Sequence, residues 1–344
     1  MSGLIRIDGS NGEGGGQILR TALTLSAATG QGFEIKNIRS RRLRPGLRPQ
    51  HLAAVRAAAL TCGARAGGVF EGSLDLRFEP GHLDAGDFQF EIATAGAATL
   101  VAQTVLPALA RCDGTSRVDV GGGTHVPFSP SFDYLARHWA PVCELLGLHV
   151  KVKLGRAGFY PPGGGRLHAS VEPWRTRERM RLERRGALVA VRGVSGACRL
   201  RGDVAERQRD AALRRLWEDR RLEGAVELLA PPSASPGSFL LLEAVFETGR
   251  AAFSALGQRG LSSEILGDRV ARSLLRFLEQ EGAVDPHLAD QVAVPLALGA
   301  GGLVTTSEVT RHLETVARIL GLFGVPARVE GTLGRPGALE VGSC

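Results

Sequence analysis

One helix-bearing segment recurs three times in the sequence, and this repetition restricts the fold more than any other feature. Residues 4–80 and about 88–172 both show the order βαβαββ, and the C-terminal copy shows αβαββ. Successive units lie about 85 residues apart, which is too long a period for a solenoid. The pattern therefore predicts three compact α+β units around a pseudo-threefold axis. The second helices of the units read RPQHLAAVRAAAL, SPSFDYLARHWAPVCELLG and VTRHLETVARILGLFG.

A stretch of about 100 residues, roughly from Leu182 to Phe277, interrupts this series with strands and helices of its own. We predict that residues 1–181 form two repeats of a large domain, residues 182–278 an inserted small domain, and residues 279–344 the third repeat. The charged segment RTRERMRLERR leads into the insert and is interpreted as a solvated face. The elements predicted in the insert are strands at Gly186–Val194 and Ser238–Thr248 and helices at Val204–Glu218 and Ser262–Phe277.

Composition limits the classes of protein to which the chain can belong. No apolar run reaches the ~18 residues that span a membrane, and MSGLIRIDGSNGEGGG lacks the apolar region of a signal peptide. The five cysteines are scattered and odd in number, which predicts reduced thiols in a cytoplasmic protein. A net charge of +7 favours a phosphate-bearing partner, although charge alone does not decide whether a nucleic acid or a nucleotide binds.

The glycine-rich stretch DGSNGEGGGQILR, residues 8–20, comes directly before a helix. Such glycines let backbone N–H groups approach an anion, and a helix N-terminus favours negative charge. A tight strand-to-helix turn is the alternative, and the absence of GK[ST] excludes a Walker loop. Glu13 is unusual in an anion cradle and is better explained beside a metal ion or a histidine that it orients. Arg20 lies one turn into the helix.

Five arginines lie close together in IRSRRLRPGLRPQ, residues 38–50. Pro45 and Pro49 stiffen this segment, and rigid presentation of arginines suits phosphate recognition. A solubilising loop is the alternative. We call residues 38–48 the arginine loop.

His312 lies in the first turn of the third repeated helix, at the end of an element where ligands commonly bind. Imidazole is reactive near neutral pH, and its nitrogen can attack a phosphoryl group to give a phosphoramidate. A capping or surface histidine is the alternative. The chain has neither HExxH nor Ser-His-Asp spacing, so a zinc site and a hydrolase triad are not supported.

Other polar residues are candidates with weaker signals. Asp290 and Gln291, in HLADQ, could contact a ribose or a metal, and plain N-capping is the alternative. Gln103 lies in an otherwise apolar helix and could face a ligand. His125, in GGGTHVPFSP, has no partner in the sequence and is interpreted as structural or surface-exposed.

Taken together, these motifs resemble those of the RNA 3′-terminal phosphate cyclases. The resemblance covers nearly the whole chain and rests on DGSNGEGGGQILRTALTLS, RPGLRPQHLAAV, TLVAQTVLPAL, GGGTHVPFSP, GFYPPGGG, DVAERQ and HLADQ, in this order. It implies three βαβαββ units, similar to the C-terminal domain of a bacterial translation initiation factor, with a smaller inserted α/β domain. Two positions depart from the family pattern, Ala157 before GFYPPGGG and His287, where tyrosine is frequent.

The resemblance also implies a reaction. His312 would attack the α-phosphorus of ATP, AMP would pass to an RNA 3′-phosphate, and the neighbouring 2′-hydroxyl would close a 2′,3′-cyclic phosphate. Mg²⁺ or Mn²⁺ would neutralise the triphosphate, with Glu13 at the metal site. The implied nucleotide pocket contains Glu13, Gln103, Pro130, His287, Leu288, Ala289, Asp290 and Gln291. The residues implied to hold the RNA terminal phosphate are Arg20, Arg39, Arg42 and Gln50.

Two alternatives differ in class. A non-catalytic cyclase-like RNA-binding protein of ribosome assembly would lack the nucleophilic histidine, and His312 argues against it. An enolpyruvyl transferase also has repeated α+β units, but it would lack these motifs and the insert. The expected partners are ATP and RNA with a 3′-phosphate end, without a membrane. The sequence allows either a monomer or a homodimer.

Overall fold

Four small mixed sheets, each with helices packed against it, make up the α+β fold. The computed structural model describes residues 3–200 and 202–344. Each sheet has four strands, with orders β1-β2-β4-β3, β5-β6-β8-β7, β15-β16-β14-β9 and β11-β10-β12-β13. No helix within the described ranges is long and apolar enough to span a membrane.

The first sheet pairs β1 with β2 in parallel, whereas β4 runs antiparallel to both β2 and β3. Alternating apolar residues such as Phe33 and Ile35 face the core, as expected for a sheet with one buried face. The elements are β1 Ile5–Asp8, α1 Gly16–Thr29, β2 Phe33–Lys36, α2 Pro49–Thr61, β3 Arg65–Gly67 and β4 Leu76–Glu79.

The second sheet, like the first, contains one parallel and two antiparallel strand pairs. The predicted helix from Phe132 to Leu146 is divided, because a π-helical turn at Leu135–Trp139 lies between two short α-helical pieces. The elements are β5 Asp87–Glu91, α3 Ala98–Leu109, β6 Ser116–Gly122, α4 Phe132–Tyr134, the π-helical turn, α5 Ala140–Glu144, β7 Val150–Arg156 and β8 Gly165–Val171.

The third sheet combines three C-terminal strands with β9, which pairs in parallel with β14. β9 lies in the charged segment that the sequence indicates as a solvated face, and that interpretation is wrong for the buried Met180 and Leu182. The segment that begins with HLADQ forms two helices, which meet at Val292. The elements are β9 Met180–Leu182, α8 Pro286–Gln291, α9 Ala293–Leu298, β14 Gly302–Thr306, α10 Arg311–Leu322, β15 Ala327–Gly331 and β16 Gly337–Val341.

The fourth sheet is formed by the chain between β9 and β14, and α6 and α7 pack against it around a separate hydrophobic cluster. Two of its strands, β11 and β13, were not predicted. The elements are β10 Leu188–Cys198, α6 Val204–Arg220, β11 Ala225–Leu229, β12 Gly237–Phe246, β13 Arg250–Leu256 and α7 Ser263–Leu278.

The largest hydrophobic cluster lies around α1, which packs against α2, α3 and α10. Phe33 links the first sheet to the C-terminal part of this cluster, because its ring stacks on Phe78 and meets the edge of Phe323. All five cysteines are free thiols, as the sequence predicts, and three of them are buried.

We expect Phe33→Ala to lower the free energy of unfolding by about 3–5 kcal/mol, because the ring is fully buried and its removal leaves a cavity. The change is measured by urea denaturation followed by circular dichroism. Phe70→Ala is the control, since Phe70 is 63% exposed and its loss should cost about 0.5 kcal/mol or less. Equal losses in the two variants would contradict the central place of Phe33.

Candidate functional site

Glu13 is held at the junction between the first and the third sheets. Its backbone N–H donates a hydrogen bond to the Thr315 hydroxyl (3.1 Å), which in turn donates to the backbone carbonyl of Arg311 (2.6 Å). Gly12 makes this contact possible, because it has a φ of +59° and a methyl group there would overlap the Thr315 hydroxyl. The glycine-rich loop is therefore fixed directly against α10.

His312 is the second residue of α10, whose N-terminus is capped by the Thr310 hydroxyl accepting from Leu313 N–H (3.1 Å). The imidazole Nδ1 lies 3.9 Å from a carboxylate oxygen of Glu13, and 46% of the side chain is exposed. Burial of the ring lowers the pKa of His312, although the Glu13 carboxylate opposes this shift. A neutral, accessible imidazole thus stands at the positive end of a helix dipole, where phosphate is favoured.

The arginine loop reaches this site through Arg42. The guanidinium of Arg42 donates to the backbone carbonyl of Glu13 (2.9 Å) and contacts its carboxylate. Arg39 is used differently, since it donates to the carbonyls of Arg44 (2.9 Å) and Gly46 (2.8 Å) and so shapes the loop. Arg42 is therefore the residue of this pair that touches the Glu13 site directly.

Arg20 lies between Glu13 and Asp290 and hydrogen-bonds to Gln17 (2.8 Å). Burial lowers the pKa of Arg20 to about 10, and the two carboxylates oppose this shift. Asp290 is only 7% exposed, and its burial raises the pKa of the carboxyl group despite Arg20. The buried carboxyl group is thus biased towards its neutral form, which can donate a hydrogen bond.

His51 was missed by sequence reasoning and lies next to the same arginines. Its Nδ1 accepts from Arg48 N–H (3.1 Å), which leaves the proton of the neutral ring on Nε2. Burial and the charges of Arg20, Arg39 and Arg48 lower the pKa of His51 to about 3. A methyl group at Gly16 would overlap this ring. The sequence signal that could have identified His51 was its position directly after Gln50, a residue already expected at the RNA phosphate, at the start of α2.

Most residues expected at the nucleotide lie on α3 and α8, whereas Glu13 and Pro130 lie in loops. Gln103 donates to the side chain of Gln291 (2.8 Å), which joins the two helices. His287 is exposed, whereas Leu288 and Ala289 are fully buried, so their side chains belong to the core.

Gln50, at the start of α2, and Pro130, in the loop before α4, both hydrogen-bond to the start of α3. The side chain of Gln50 accepts from Ala97 N–H (3.3 Å), just before α3. The carbonyl of Pro130 accepts from the Thr99 hydroxyl (2.8 Å), in the first turn of α3. Both residues are therefore connected to Gln103 by the same helix.

A metal ion at this site would be bound jointly by a protein carboxylate and by substrate phosphates. Across residues 3–200 and 202–344, no group of three His, Cys, Asp or Glu side chains is arranged to hold a metal ion. Glu13 nevertheless offers a carboxylate beside the site. Mg²⁺ is commonly bound by one or two carboxylates together with substrate phosphates, and the residues present fit that arrangement.

Known proteins give consistent matches to this sequence. The family model described as RNA 3′-terminal phosphate cyclase matches residues 11–328. An RNA 3′-terminal phosphate cyclase of Pseudomonas fluorescens is 43% identical over 329 residues, covering 95% of this chain and 94% of the relative. Its namesake in Ralstonia nicotianae is 43% identical, covering 93% and 91%.

Among solved structures, a match to the enolpyruvyl transferase NikO from Streptomyces tendae covers 100% of this chain and 66% of the NikO chain, at 11% sequence identity. Its TM-score of 0.27 is too low to support any conclusion about fold or function. The match of the family model over most of the sequence, with relatives above 40% identity along nearly their full length, decides the family. The chain belongs to the RNA 3′-terminal phosphate cyclase family.

Proposed function

We propose that the protein converts an RNA 3′-terminal phosphate to a 2′,3′-cyclic phosphate at the expense of ATP, by ligase-type nucleotidyl transfer. The observation that carries this proposal is the accessible His312 imidazole at the start of α10, with Glu13 3.9 Å away and Arg42 contacting that carboxylate. A nucleophile, an acidic partner and a cation for phosphate are thereby in one place.

In the first step, Nε2 of His312, the nitrogen that does not face Glu13, attacks the α-phosphorus of ATP. The N–P bond forms as the bond to the bridging oxygen breaks, and pyrophosphate leaves with the electron pair. The resulting histidyl-AMP ring is cationic while Nδ1 keeps its proton. The Glu13 carboxylate stabilises that charge from 3.9 Å.

In the second step, an oxygen of the RNA 3′-phosphate attacks the same phosphorus, and the N–P bond breaks to restore neutral His312. In the third step, the ribose 2′-hydroxyl oxygen attacks the terminal RNA phosphorus as its proton passes to solvent, and AMP leaves. Arg20, Arg39, Arg42 and Gln50 are proposed to hold the RNA phosphate. The assignment is supported by the charges of Arg20 and Arg39, which act on His51, and by the contact of Arg42 with the glycine-rich loop.

Glu13 is proposed to contribute one ligand to Mg²⁺ or Mn²⁺, with substrate phosphates completing the coordination. Such an ion supplies charge neutralisation of the triphosphate and the leaving pyrophosphate. The nucleotide itself is proposed to lie along α3 and α8, which carry Gln103 and residues 287–291, and near Pro130, whose carbonyl is hydrogen-bonded to the first turn of α3. For Leu288 and Ala289, only the backbone can take part, because their side chains are buried.

We also propose that the fold consists of three βαβαββ repeats with an inserted domain. In the first two sheets, the strands of a unit lie in the order first, second, fourth, third. The third sheet has the same order if β9 is counted as its first strand, and this agreement supports the proposal. The insert then begins after Leu182 and interrupts the third repeat rather than preceding it.

We expect His312→Ala to reduce labelling of the protein by α-labelled ATP by at least about 10³-fold, because the nucleophile is removed. The measurement is a denaturing gel after incubation with Mg²⁺ or Mn²⁺, with mapping of an acid-labile, alkali-stable label. His82→Ala is the control, since His82 is an exposed histidine outside the site. Labelling that persists in His312→Ala would remove His312 from its role, and a folded wild type without any label would favour the non-catalytic relative.

We expect Arg42→Ala and Arg39→Ala to weaken AMP transfer to RNA by about 10-fold or more, since each removes a charged hydrogen-bond donor. Self-adenylylation should change less. The two half-reactions are measured separately, with preformed histidyl-AMP protein and a 3′-phosphorylated oligoribonucleotide for the transfer. Arg41→Ala is the matched control, because Arg41 is an exposed residue of the same loop. Equal losses in both half-reactions would count against the RNA assignment.

A further inference from the structure

A buried ionic cluster lies behind α8, away from the glycine-rich loop. His138 donates from Nε2 to the Asp285 carboxylate (2.8 Å) and from Nδ1 to the Glu243 carboxylate (3.0 Å). All three side chains are almost fully buried. Both ring nitrogens can donate only when the ring is protonated, so His138 is an imidazolium between two carboxylates. These hydrogen bonds raise the pKa of His138 against its desolvation.

The π-helical turn at Leu135–Trp139 directs two consecutive side chains towards α8. His138 contacts Asp285, which precedes α8. The Trp139 indole N–H donates to the backbone carbonyl of Gln291, the last residue of α8 (3.2 Å). One turn of this wider helix thus holds both ends of the same six-residue segment, and π-helical turns are frequent at functional sites.

Asp285 is the N-cap of α8 and is saturated with donors. One carboxylate oxygen accepts from the N–H groups of His287 (3.1 Å) and Leu288 (3.0 Å) and from the Tyr134 hydroxyl (2.9 Å). The other accepts from His138 and from Ala252 N–H (3.2 Å). The orientation of α8 therefore depends on the charge that faces this single carboxylate.

The fourth sheet supplies the other half of the cluster. Besides its hydrogen bond with His138, Glu243 on β12 accepts a hydrogen bond from Arg192 on β10 (2.9 Å). It also forms an ion pair with Arg250 on β13 (2.9 Å). Asp285 and Tyr134 are the remaining ionisable groups in contact with the cluster, and the charge of His287 also acts on Asp285. The cluster consequently connects the fourth sheet to the helix that carries the expected nucleotide residues.

We propose that His138 is a positioning residue for ATP, which holds α8 in its binding orientation through Asp285 while Glu243 ties it to the fourth sheet. This inference rests on the proposed function only in placing the nucleotide against residues 287–291. Loss of the imidazolium charge leaves two buried carboxylates facing each other with fewer donors, so α8 loosens and ATP binds more weakly.

The sign of the pH effect follows from the direction of the shift. A histidine whose folded pKa is raised stabilises the cluster fully below the unfolded value of about 6.5, and this stabilisation is lost as the pH rises through the folded pKa. ATP affinity should therefore fall on the alkaline side. The acidic groups of the cluster stay ionised throughout, because the pKa values of Glu243 and Asp285 are lowered.

The test measures ATP binding by titration calorimetry in a His312→Asn background, which removes the chemical step, over a range of pH. We expect His138→Gln to raise the Kd for ATP at neutral pH by about 10-fold, the size of one charge-assisted hydrogen bond, and to abolish its alkaline rise. In the otherwise native enzyme, the same change should raise KM for ATP in self-adenylylation while kcat stays within about twofold.

Glu243→Gln is the second variant, which removes the negative charge and keeps one of the two acceptor oxygens. Removing this anion lowers the pKa of His138, so the alkaline rise of the ATP Kd should begin at a lower pH than in the parent. Gln208→Ala is the matched control, because Gln208 is a buried residue hydrogen-bonded to Ser195 and Ser238 in the fourth sheet, without a contact to α8 among those described. It should lower thermal stability without shifting the ATP Kd or its pH dependence.

The proposal is overturned if His138→Gln and Glu243→Gln, both folded, show the parental Kd and pH profile. It is also overturned if the two variants shift the ATP Kd no more than Gln208→Ala does, when all three lose the same amount of thermal stability. Failure of the proposed function gives a different result, namely ATP binding that responds to His138 in a protein that never becomes labelled at His312.

Discussion

The hydrogen bond from the Glu13 N–H to the Thr315 hydroxyl is the contact on which the rest of the site depends. It joins residues 302 positions apart in the chain and fixes the glycine-rich loop against the helix that carries His312. Because Gly12 has a left-handed backbone and no side chain, the loop can approach α10 closely enough to make it. His312 approaches the N-terminal part of the chain at Glu13 (3.9 Å), whose carboxylate also contacts Arg42.

Around this contact, positive charge is concentrated beyond what the local carboxylates neutralise. Arg20, Arg39 and Arg48 act on His51, whose pKa falls to about 3, while Glu13 and Asp290 act on Arg20. Arg48 is paired with Glu71 and Arg42 with Glu13, whereas Arg20 and Arg39 have no carboxylate within ion-pair distance among the described residues, so the arrangement favours a phosphate group. His138 shows the opposite balance, since two carboxylates surround one imidazolium and two arginines complete the cluster. The first arrangement suits an anionic ligand, whereas the charges of the second are balanced within the cluster.

Local periodicity predicted both helices and two of the four strands of the insert within a few residues, and it failed where length or context removed the signal. β9 has three residues flanked by arginines and glutamates, so its two buried side chains produce no visible alternation, and its partner β14 lies far along the chain. The division of the helix after Ser131 was also missed. A π-helical turn inserts one extra residue per turn without changing the apolar pattern much. The local signal was Pro141, which has no N–H to donate to the preceding turn.

The sequence by itself determined which chemical groups are available, in which local elements they lie, and the family to which the motifs point. His312 in a first helical turn, Glu13 among glycines and Asp290 in HLADQ were all identified in this way. Tertiary structure alone decided their relations: Arg39 holds its own loop, Leu288 and Ala289 face the core, and His51 joins the arginines. The physical reason is that hydrogen-bond partners, burial and hence pKa values are set by residues distant in sequence. A local sequence pattern contains no information about those residues.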